Sequence, residues 1–315
     1  MSGLVFVGSL LGAIGIGIPI SFALMLSAVA LMILLGNLDA QILAQRLVNG
    51  ADSYPLMAIP FFLIAGELMN AGGLSRRIVN VALALVGHVR GGLGYVVIGT
   101  GVLMASLSGS AIADTATLAV MLIPLMRDAG YNMDRATGLM ASTGIIAPVI
   151  PPSVGFVILG VTANISIVGL FLAGIVPGLL MGVSLVLAWW FISKKETAAV
   201  RPKLPRRDIP KAIMTAGWAL MLPVIILVGL RFGVFTPTEA GVVAAAYALF
   251  VGLVVYRELT PKLLYEALLA AGRMTAVIML LVAASMVTGF MMAISNLPAQ
   301  LVALLRPFID EPKLL

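Results

Sequence analysis

The chain contains no cysteine and one histidine, and only 10% of its 315 residues are charged. The missing cysteines exclude disulfides and thiolate metal sites, and a single histidine excludes a cluster of histidine ligands. Soluble domains carry roughly 25% charged residues, so the shortage of charge excludes a soluble fold of this length. The G-x-x-x-x-G-K-[ST] pattern of a phosphate-binding loop is also missing, and no nucleophile–base pair appears, so the sequence predicts neither an ATP site nor an enzyme.

Apolar residues make up 61% of the chain, and the mean hydropathy is +1.15. Runs of about 20 apolar residues predict membrane-spanning helices, because the strands of a membrane barrel alternate over only about ten residues. The first run is too long for a cleaved signal peptide and lacks a basic start, so we interpret it as the first span. The sequence therefore predicts an all-α polytopic membrane protein.

The basic residues are distributed unevenly across this topology. Of the 19 lysine and arginine residues, all but Arg46, Arg231, Arg306 and Lys313 fall on one side. Cytoplasmic loops of membrane proteins carry such an excess of basic residues. The pattern predicts a multi-pass protein with a cytoplasmic N-terminus, and it explains the net charge of +6 without a nucleic-acid partner.

The stretch "MASLSGSAIADTATLAVM", Met104 to Met121, places small polar groups and a carboxylate between two apolar runs. Each run has about 15 residues, or roughly 23 Å of helix, against a hydrocarbon core of roughly 30 Å. The short limbs favour a re-entrant hairpin over 92–127 that turns at Gly109. Irregular backbone at that depth is tolerated only where protein or a wet cavity surrounds it.

A second interruption lies in "ASTGIIAPVIPPSVGF", Ala141 to Phe156. Its prolines lack amide hydrogens and clash with the preceding helical turn, so they predict a helix over 136–163 that is broken in the middle. The break would free the carbonyls of Gly144, Ile145, Ala147 and Pro148, and nearby hydroxyls would add to them. Such oxygens suit Na⁺, and the amide groups near Ser110–Ile112 suit a substrate carboxylate.

These residues also have purely structural interpretations. Asp114 could serve only as the cap of the second hairpin limb, and the small residues could serve only close helix packing. Glu239 in "TPTEAG" is interpreted as structural, because Thr236, Pro237 and Glu239 fit the N-cap, N1 and N3 positions of a capping box.

Two segments of the first half resemble segments of the second half. "GIPISFALMLSAVALMILL" resembles "FTPTEAGVVAAAYALFVGLVV", and the spacing from Leu38 to Leu74 is close to that from Leu259 to Leu297. The first copy starts inside and the second outside, which predicts an inverted repeat of the kind common in secondary transporters. The second hairpin would then fall beyond Leu315. The repeat thus predicts a C-terminally truncated protein that lacks a second hairpin, a second broken helix and a last span.

The predicted organisation has three parts. The first repeat occupies 1–193, a cytoplasmic basic linker occupies 194–211, and an incomplete second repeat occupies 212–315. The first repeat begins with two scaffold helices (4–35 and 54–71) and an interfacial helix (73–89). The re-entrant hairpin (92–127), the broken helix (136–163) and a span (165–192) follow. The second repeat comprises three spans and an amphipathic tail, at 212–230, 239–256, 274–294 and 297–315.

"GSAIADTATLAVMLIPLMRDAGY", "ASTGIIAPVIPPS" and "PFFLIAGELMNAGGLSRRIV" resemble the large membrane subunit of tripartite ATP-independent periplasmic (TRAP) transporters, the DctM-type permease. The resemblance covers essentially the whole chain. Through "LVNGADSY" and "ELMNAGGLS" it is nearest to the large permeases for 2,3-diketo-L-gulonate.

The resemblance implies a fold like that of the ion transporter superfamily, an elevator mechanism and Na⁺ as coupling ion, without another cofactor. It also implies a small DctQ-type membrane subunit, a periplasmic DctP-type binding protein and a bacterial inner-membrane location. The substrate would be an organic acid of the sugar-acid, dicarboxylate or sialic-acid class. Matching the motifs gives ion and substrate positions at Ser108, Gly109, Ser110, Asp114, Ser142, Thr143, Gly144 and Pro148. Pro151 and Pro152 would break the helix, and Ser108, Ser110 and Gly144 would hold Na⁺.

Three other functions are compatible with a polytopic membrane protein. A channel would show a continuous polar stripe, whereas the polar residues here cluster at two breaks. An intramembrane hydrolase would need a pair of catalytic residues, and the sequence places no second acidic residue close to Asp114. A membrane scaffold subunit, or an ion channel without coupled transport, stays as the alternative to a permease.

Overall fold

The computed structural model describes residues 1–36, 38–194, 202, 208–300 and 302–303. Every regular element within these ranges is helical, which confirms the all-α prediction. Five helices in the described part of the chain are long and apolar enough to cross a membrane, as expected of a polytopic membrane protein. They are Tyr54–Ala71, Ile167–Ser193, Ala212–Arg231, Pro237–Val255 and Pro261–Ile294. The predicted linker 194–211 and tail 297–315 lie largely outside the described residues.

The chain divides into two compact units, of which the first comprises Met1–Ser53 and Ala276–Leu315. Its helices are α1 (Ser2–Gly15), α2 (Ile20–Leu34), α3 (Ala40–Ala51) and the C-terminal part of α13 (Pro261–Ile294). Leu31 and Met32 of α2 pack with Val287 and Met291 of α13. The Thr288 hydroxyl donates a hydrogen bond of 3.0 Å to the Leu24 carbonyl and so ties the same two helices together.

The single span predicted over 4–35 is wrong, because the structure divides it into α1 and α2, which pack against each other. Gly17 has a φ of 87°, a conformation that ends a right-handed helix, and Pro19 stands at the N-cap of α2. Each helix is about 21–23 Å long, which is shorter than the hydrocarbon core of a bilayer. The apolar run was long enough for one span, and length alone gave no sign of the turn.

The second unit, Tyr54–Thr275, contains the candidate site. After a short 3₁₀ turn its helices follow in chain order: α4 (Ala58–Ala71), α5 (Leu74–Val86), α6 (Gly92–Ser108), α7 (Ala111–Asp128), α8 (Met133–Gly144), α9 (Val154–Thr162), α10 (Ile167–Ser193), α11 (Asp208–Arg231) and α12 (Pro237–Phe250), with the first part of α13. A π-helical turn, Val251–Val255, extends α12. The limbs α6 and α7 pack against each other and both pack on α8.

Helix α5 lies within the stretch 73–89 that was predicted to be an interfacial helix. Its apolar face, with Leu74, Ile78 and Val81 among its buried residues, packs against α6 and α11. Its polar face carries Arg76 and Arg77, which both contact the carboxylate of Glu258. The helix is therefore held by protein contacts on one face and by ion pairs near its first turn.

The capping box predicted at the start of α12 is confirmed. The Glu239 amide donates to the Thr236 hydroxyl at 3.3 Å, and the Glu239 carboxylate accepts from the Thr236 amide at 2.8 Å. Pro237 occupies the first helical position. The side chains of Thr236 and Glu239 thus each accept a hydrogen bond from the backbone amide of the other residue at the start of the helix. This is the structural role that the sequence predicted for Glu239.

Left-handed backbone recurs at equivalent points of the two segments that resemble each other in sequence. Gly36 (φ 67°) and Arg257 (φ 55°) each stand two residues before the paired leucines, Leu38 and Leu259. Gly73 (φ 76°) and Asn296 (φ 58°) each stand one residue before the next paired leucines. The residue after each of the first leucines, Asp39 or Thr260, accepts a backbone hydrogen bond at the start of the following helix.

Candidate functional site

The hairpin turns within two residues. Helix α6 ends at Ser108, Gly109 has a φ of 60°, and Ser110 is the N-cap of α7. The Ser110 hydroxyl accepts a hydrogen bond of 3.4 Å from the Ala113 amide. Glycine suits the left-handed position because a side chain there would be strained. The side chain of Ser108 lies outside the described part of the structure.

The break that was predicted in the helix over 136–163 is present between α8 and α9. Helix α8 ends at Gly144 and α9 begins at Val154, so the chain between them passes through all three prolines outside regular helix. The peptide bond between Pro151 and Pro152 is cis. Both of these prolines are buried, whereas Pro148 is exposed.

Ser153 ties the two ends of the break together. Its hydroxyl donates to the Pro148 carbonyl at 2.6 Å and accepts from the Phe156 amide at 3.3 Å, so it also caps α9. The expectation that the carbonyls of Pro148 and Gly144 are free is therefore wrong, since Gly144 also accepts a hydrogen bond, from the Ala147 amide at 3.2 Å. A carbonyl oxygen has two lone pairs, so each keeps one for a ligand.

The hairpin tip lies directly against the break. A side chain at Gly109 would collide with the carbonyl oxygen of Pro152 and would come within 3.3 Å of the Cα atom of Ser153. Only a residue without a Cβ atom permits this approach. The structure thus brings together the two interruptions that the sequence placed about 40 residues apart, a contact that no local pattern predicts.

A second contact joins the same elements one turn away from the tip. A Cβ atom at Gly144 would collide with the Thr115 hydroxyl oxygen and would lie 3.4 Å from the Ala111 carbonyl. Thr115 belongs to the polar stretch but was not among the predicted site residues. Its only signal in the sequence was its position one residue after Asp114, on the first turns of α7.

Asp114 is 2% exposed and lies in the first turn of α7. A carboxylate in the first turn interacts favourably with the helix dipole. The Ser110 hydroxyl accepts the N-cap hydrogen bond from the Ala113 amide. Ser110 is thus the N-cap residue of α7, and Asp114 lies buried one turn further along the helix.

The remaining predicted residues lie on α8. Thr143 is buried, and its hydroxyl donates to the Leu139 carbonyl at 2.8 Å, while its methyl group fills the space that a side chain at Gly101 of α6 would need. Ser142 is half-buried and donates to the Gly138 carbonyl at 2.9 Å. Both hydroxyl oxygens keep lone pairs for a ligand, although both protons are already used.

The polar groups on these elements are uncharged oxygen atoms and one carboxylate, that of Asp114. Hydroxyls of Ser110, Thr115 and Thr143 and the carbonyl of Gly144 lie on the elements that meet at the tip and the break. Within the described ranges no group of three or more His, Cys, Asp or Glu side chains is placed to hold a metal ion. Oxygen ligands of this type bind hard cations.

A sequence model of the family described as "Tripartite ATP-independent periplasmic transporter, DctM component" matches residues 7–315. The chain is 53% identical, over all of its length and 74% of the relative, to the 2,3-diketo-L-gulonate TRAP transporter large permease protein YiaN of Escherichia coli. It is 43% identical, over 98% of its length and 73% of the relative, to the sialic acid TRAP transporter large permease protein SiaM of Vibrio cholerae. It is 37% identical, over 85% of its length and 63% of the relative, to the C4-dicarboxylate TRAP transporter large permease protein DctM of Pseudomonas aeruginosa.

Proposed function

Because the chain belongs to the DctM component family of tripartite ATP-independent periplasmic transporters, a family of transporters rather than enzymes, we propose that it imports an organic acid driven by a Na⁺ gradient. The relatives are named for diketogulonate, sialic acid and C4-dicarboxylates, all of them carboxylates. A substrate of the sugar-acid class fits best, since the 2,3-diketo-L-gulonate permease is 53% identical to this chain.

The observation that carries the proposal is the contact between Gly109 at the hairpin tip and Pro152–Ser153 at the helix break. Two helix interruptions that meet in this way place hydroxyls, and carbonyl oxygens that each keep a lone pair, in one small region inside the membrane protein. Secondary transporters bind substrates and coupling ions at such interrupted helices. In the proposal Ser108, Ser110 and Gly144 contribute oxygens to Na⁺, and the first amides of α7 face the carboxylate of the substrate.

An elevator motion of this site follows from the proposed inverted repeat. The left-handed residues that recur at Gly36 and Arg257, and at Gly73 and Asn296, support the repeat independently of the residue types. Of the two segments that resemble each other, the one in the second copy is the longer. The π-helical turn Val251–Val255 accommodates its extra residues. Inverted repeats permit alternating access by rigid movement of one part against another.

The proposed partners are a small DctQ-type membrane subunit and a periplasmic DctP-type protein that delivers the substrate, as the word tripartite in the family description implies. The proposed location is the bacterial inner membrane, with the basic linker in the cytoplasm. A cytoplasmic N-terminus is also part of the proposal.

Uptake by the transporter, assembled with its partner subunits in proteoliposomes, is expected to follow an imposed Na⁺ gradient without ATP. Ser110→Ala removes a hydroxyl and Asp114→Asn removes a negative charge near the tip, so we expect the Na⁺ concentration for half-maximal uptake to rise about tenfold or more. A tenfold change equals about 1.4 kcal/mol, the worth of one good ion contact.

Ser166→Ala and Asp134→Asn are the matched controls. Ser166 caps α10 as Ser110 caps α7, and Asp134 lies in the first turn of α8 as Asp114 lies in that of α7. Neither control residue belongs to the tip or the break, so the Na⁺ dependence should stay within about twofold of the unmodified transporter. Undiminished uptake in Na⁺-free medium would overturn the proposed coupling.

Orientation can be measured by cysteine labelling, because the chain has no cysteine of its own. Thr197→Cys in the linker should react with a membrane-impermeant maleimide only from the cytoplasmic side. Asn164→Cys, at an exposed position between α9 and α10, should react only from the periplasmic side. Reaction of Thr197→Cys in intact cells would reverse the proposed topology.

A further inference from the structure

A cavity of about 350 Å³ lies between α7 and the junction of α4 with α5. Asn70, Ser75 and Arg76 line it from the junction, and Thr117 lines it from the hairpin limb. Val120 continues the α7 wall. This cavity is separate from the contact between tip and break, but it shares helix α7 with it.

The charges around the cavity do not cancel. Glu258 pairs closely with Arg77, at 2.9 Å, and Arg77 also donates to the Gly73 carbonyl and stacks over the Tyr256 ring. Arg76 reaches the same carboxylate only at 3.7 Å, and its side chain is 67% exposed. One carboxylate balances one guanidinium, so a net positive charge remains at the cavity.

The uncharged groups of the cavity are suited to an oxygen-rich ligand. The Ser75 hydroxyl donates to the Asn70 side-chain carbonyl, which leaves the Asn70 amide nitrogen as a donor group. Thr117 adds a hydroxyl from the opposite wall. A guanidinium binds a carboxylate through two parallel hydrogen bonds, and neighbouring amide and hydroxyl groups bind the hydroxyls of a sugar acid.

The cavity lies along the hairpin limb away from the tip. Thr117 follows the N-cap residue Ser110 by about two helical turns, or roughly 10 Å along the axis. In the proposed topology α7 runs from the tip toward the cytoplasm, and Arg76 lies on the cytoplasmic side. A substrate that leaves the tip toward the cytoplasm would therefore pass this cavity.

We propose that the cavity lined by Asn70, Ser75, Arg76 and Thr117 is an exit subsite in which Arg76 binds the carboxylate of the departing organic acid. The identity of the ligand rests on the proposed function, whereas the attraction of anions rests on the cavity alone. Arg76 holds the substrate transiently, since an exposed ion pair with a guanidinium is weak and exchanges readily.

The attraction of anions is tested by the labelling rate of Thr117→Cys in the assembled transporter. An anionic and a cationic methanethiosulfonate of similar size are compared. A unit charge about 6 Å away in water changes the local concentration of each reagent about threefold, in opposite directions. Arg76→Gln should therefore lower the anionic-to-cationic rate ratio about tenfold, and Arg76→Lys should keep it.

Lys262→Gln is the control for the loss of one positive charge, because Lys262 is 85% exposed and pairs with Glu266 on its own helix. Its rate ratio should equal that of the unmodified protein. An Arg76→Gln ratio equal to the unmodified one would overturn the subsite, whether or not the protein transports.

The substrate is tested with 2,3-diketo-L-gulonate as the probe. We expect it to slow the labelling of Thr117→Cys, and Arg76→Gln to raise the KM of Na⁺-driven uptake about tenfold. Arg76→Lys should restore only the part of this effect that comes from the charge, because lysine lacks the paired donors of the guanidinium. An unchanged KM with normal Na⁺-driven uptake would overturn the subsite and leave the proposed function standing. Absence of uptake by the unmodified transporter together with the expected labelling ratio would overturn the proposed function and keep the anion-attracting cavity.

Discussion

Replacing Gly109 by alanine is expected to reduce organic-acid uptake at least tenfold while the permease still inserts and assembles. The new Cβ atom would collide with the Pro152 carbonyl oxygen, so the hairpin tip must move away from the helix break. The left-handed φ of 60° adds about 1 kcal/mol of backbone strain for alanine. The measurement is uptake in proteoliposomes, with assembly followed by size-exclusion chromatography.

Gly130→Ala separates these two causes. Gly130 has a φ of 80°, so alanine suffers the same strain, but nothing lies within 4 Å of the position of its Cβ atom. This variant should transport at nearly the unmodified rate. Equal loss of uptake in both variants would show that backbone strain, rather than the contact between tip and break, is responsible.

A parallel comparison is available inside α8. A Cβ atom at Gly144 would collide with Thr115, whereas nothing lies within 4 Å of one at Gly138, which precedes it in the same helix. The sequence shows two glycines in one helix and cannot tell them apart. Only the packing of α8 against α7 leaves no room for a side chain at Gly144.

Both helix interruptions could be predicted from the sequence because each has a local cause. Proline lacks an amide hydrogen, and the run around Gly109 combines short apolar limbs with turn residues. The capping box at Thr236 was predictable for the same reason, since all its groups lie within four residues. Local chemistry of this kind needs no knowledge of the rest of the fold.

Other features depend on contacts between distant segments and could not be predicted. The turn at Gly17–Pro19 was hidden in an apolar run, because a glycine and a proline occur inside many continuous membrane helices. The role of Ser153 depends on how the chain folds back to the Pro148 carbonyl. The contact of Thr115 with Gly144 depends on the packing of two helices that the sequence shows only separately.

In the described part of the chain, a single proline does not always end a helix. Helices α7, α10 and α11 continue through Pro124, Pro177 and Pro223. The break differs because Pro151 and Pro152 are adjacent and follow Pro148 by only a few residues, so several consecutive turns lose their amide donors. An interior proline destabilises a helix by about 3 kcal/mol. At the break no intact helical turn lies between the prolines to compensate for the missing hydrogen bonds.

Exchange of both Pro151 and Pro152 for alanine is therefore expected to abolish Na⁺-driven uptake. The restored amides can bond the carbonyls of Ala147 and Pro148, so α8 can extend toward α9. The Pro152 carbonyl would then leave its position against Gly109, and the site would lose its ligands from the break. Insertion should persist, because the apolar length of the segment is unchanged and insertion depends mainly on hydrophobicity.

The matched control is Pro177→Ala, which replaces a proline inside a helix that is already continuous. It should insert, assemble and transport like the unmodified protein, since it only adds an amide donor to an intact turn. Uptake by the double variant is measured in proteoliposomes next to this control, after size-exclusion chromatography has shown assembly with the small subunit. Unmodified uptake by the double variant would mean that the break is incidental to transport. Failure to assemble, with a normal Pro177→Ala control, would instead assign Pro151 and Pro152 to folding, because the defect would then precede any binding of Na⁺.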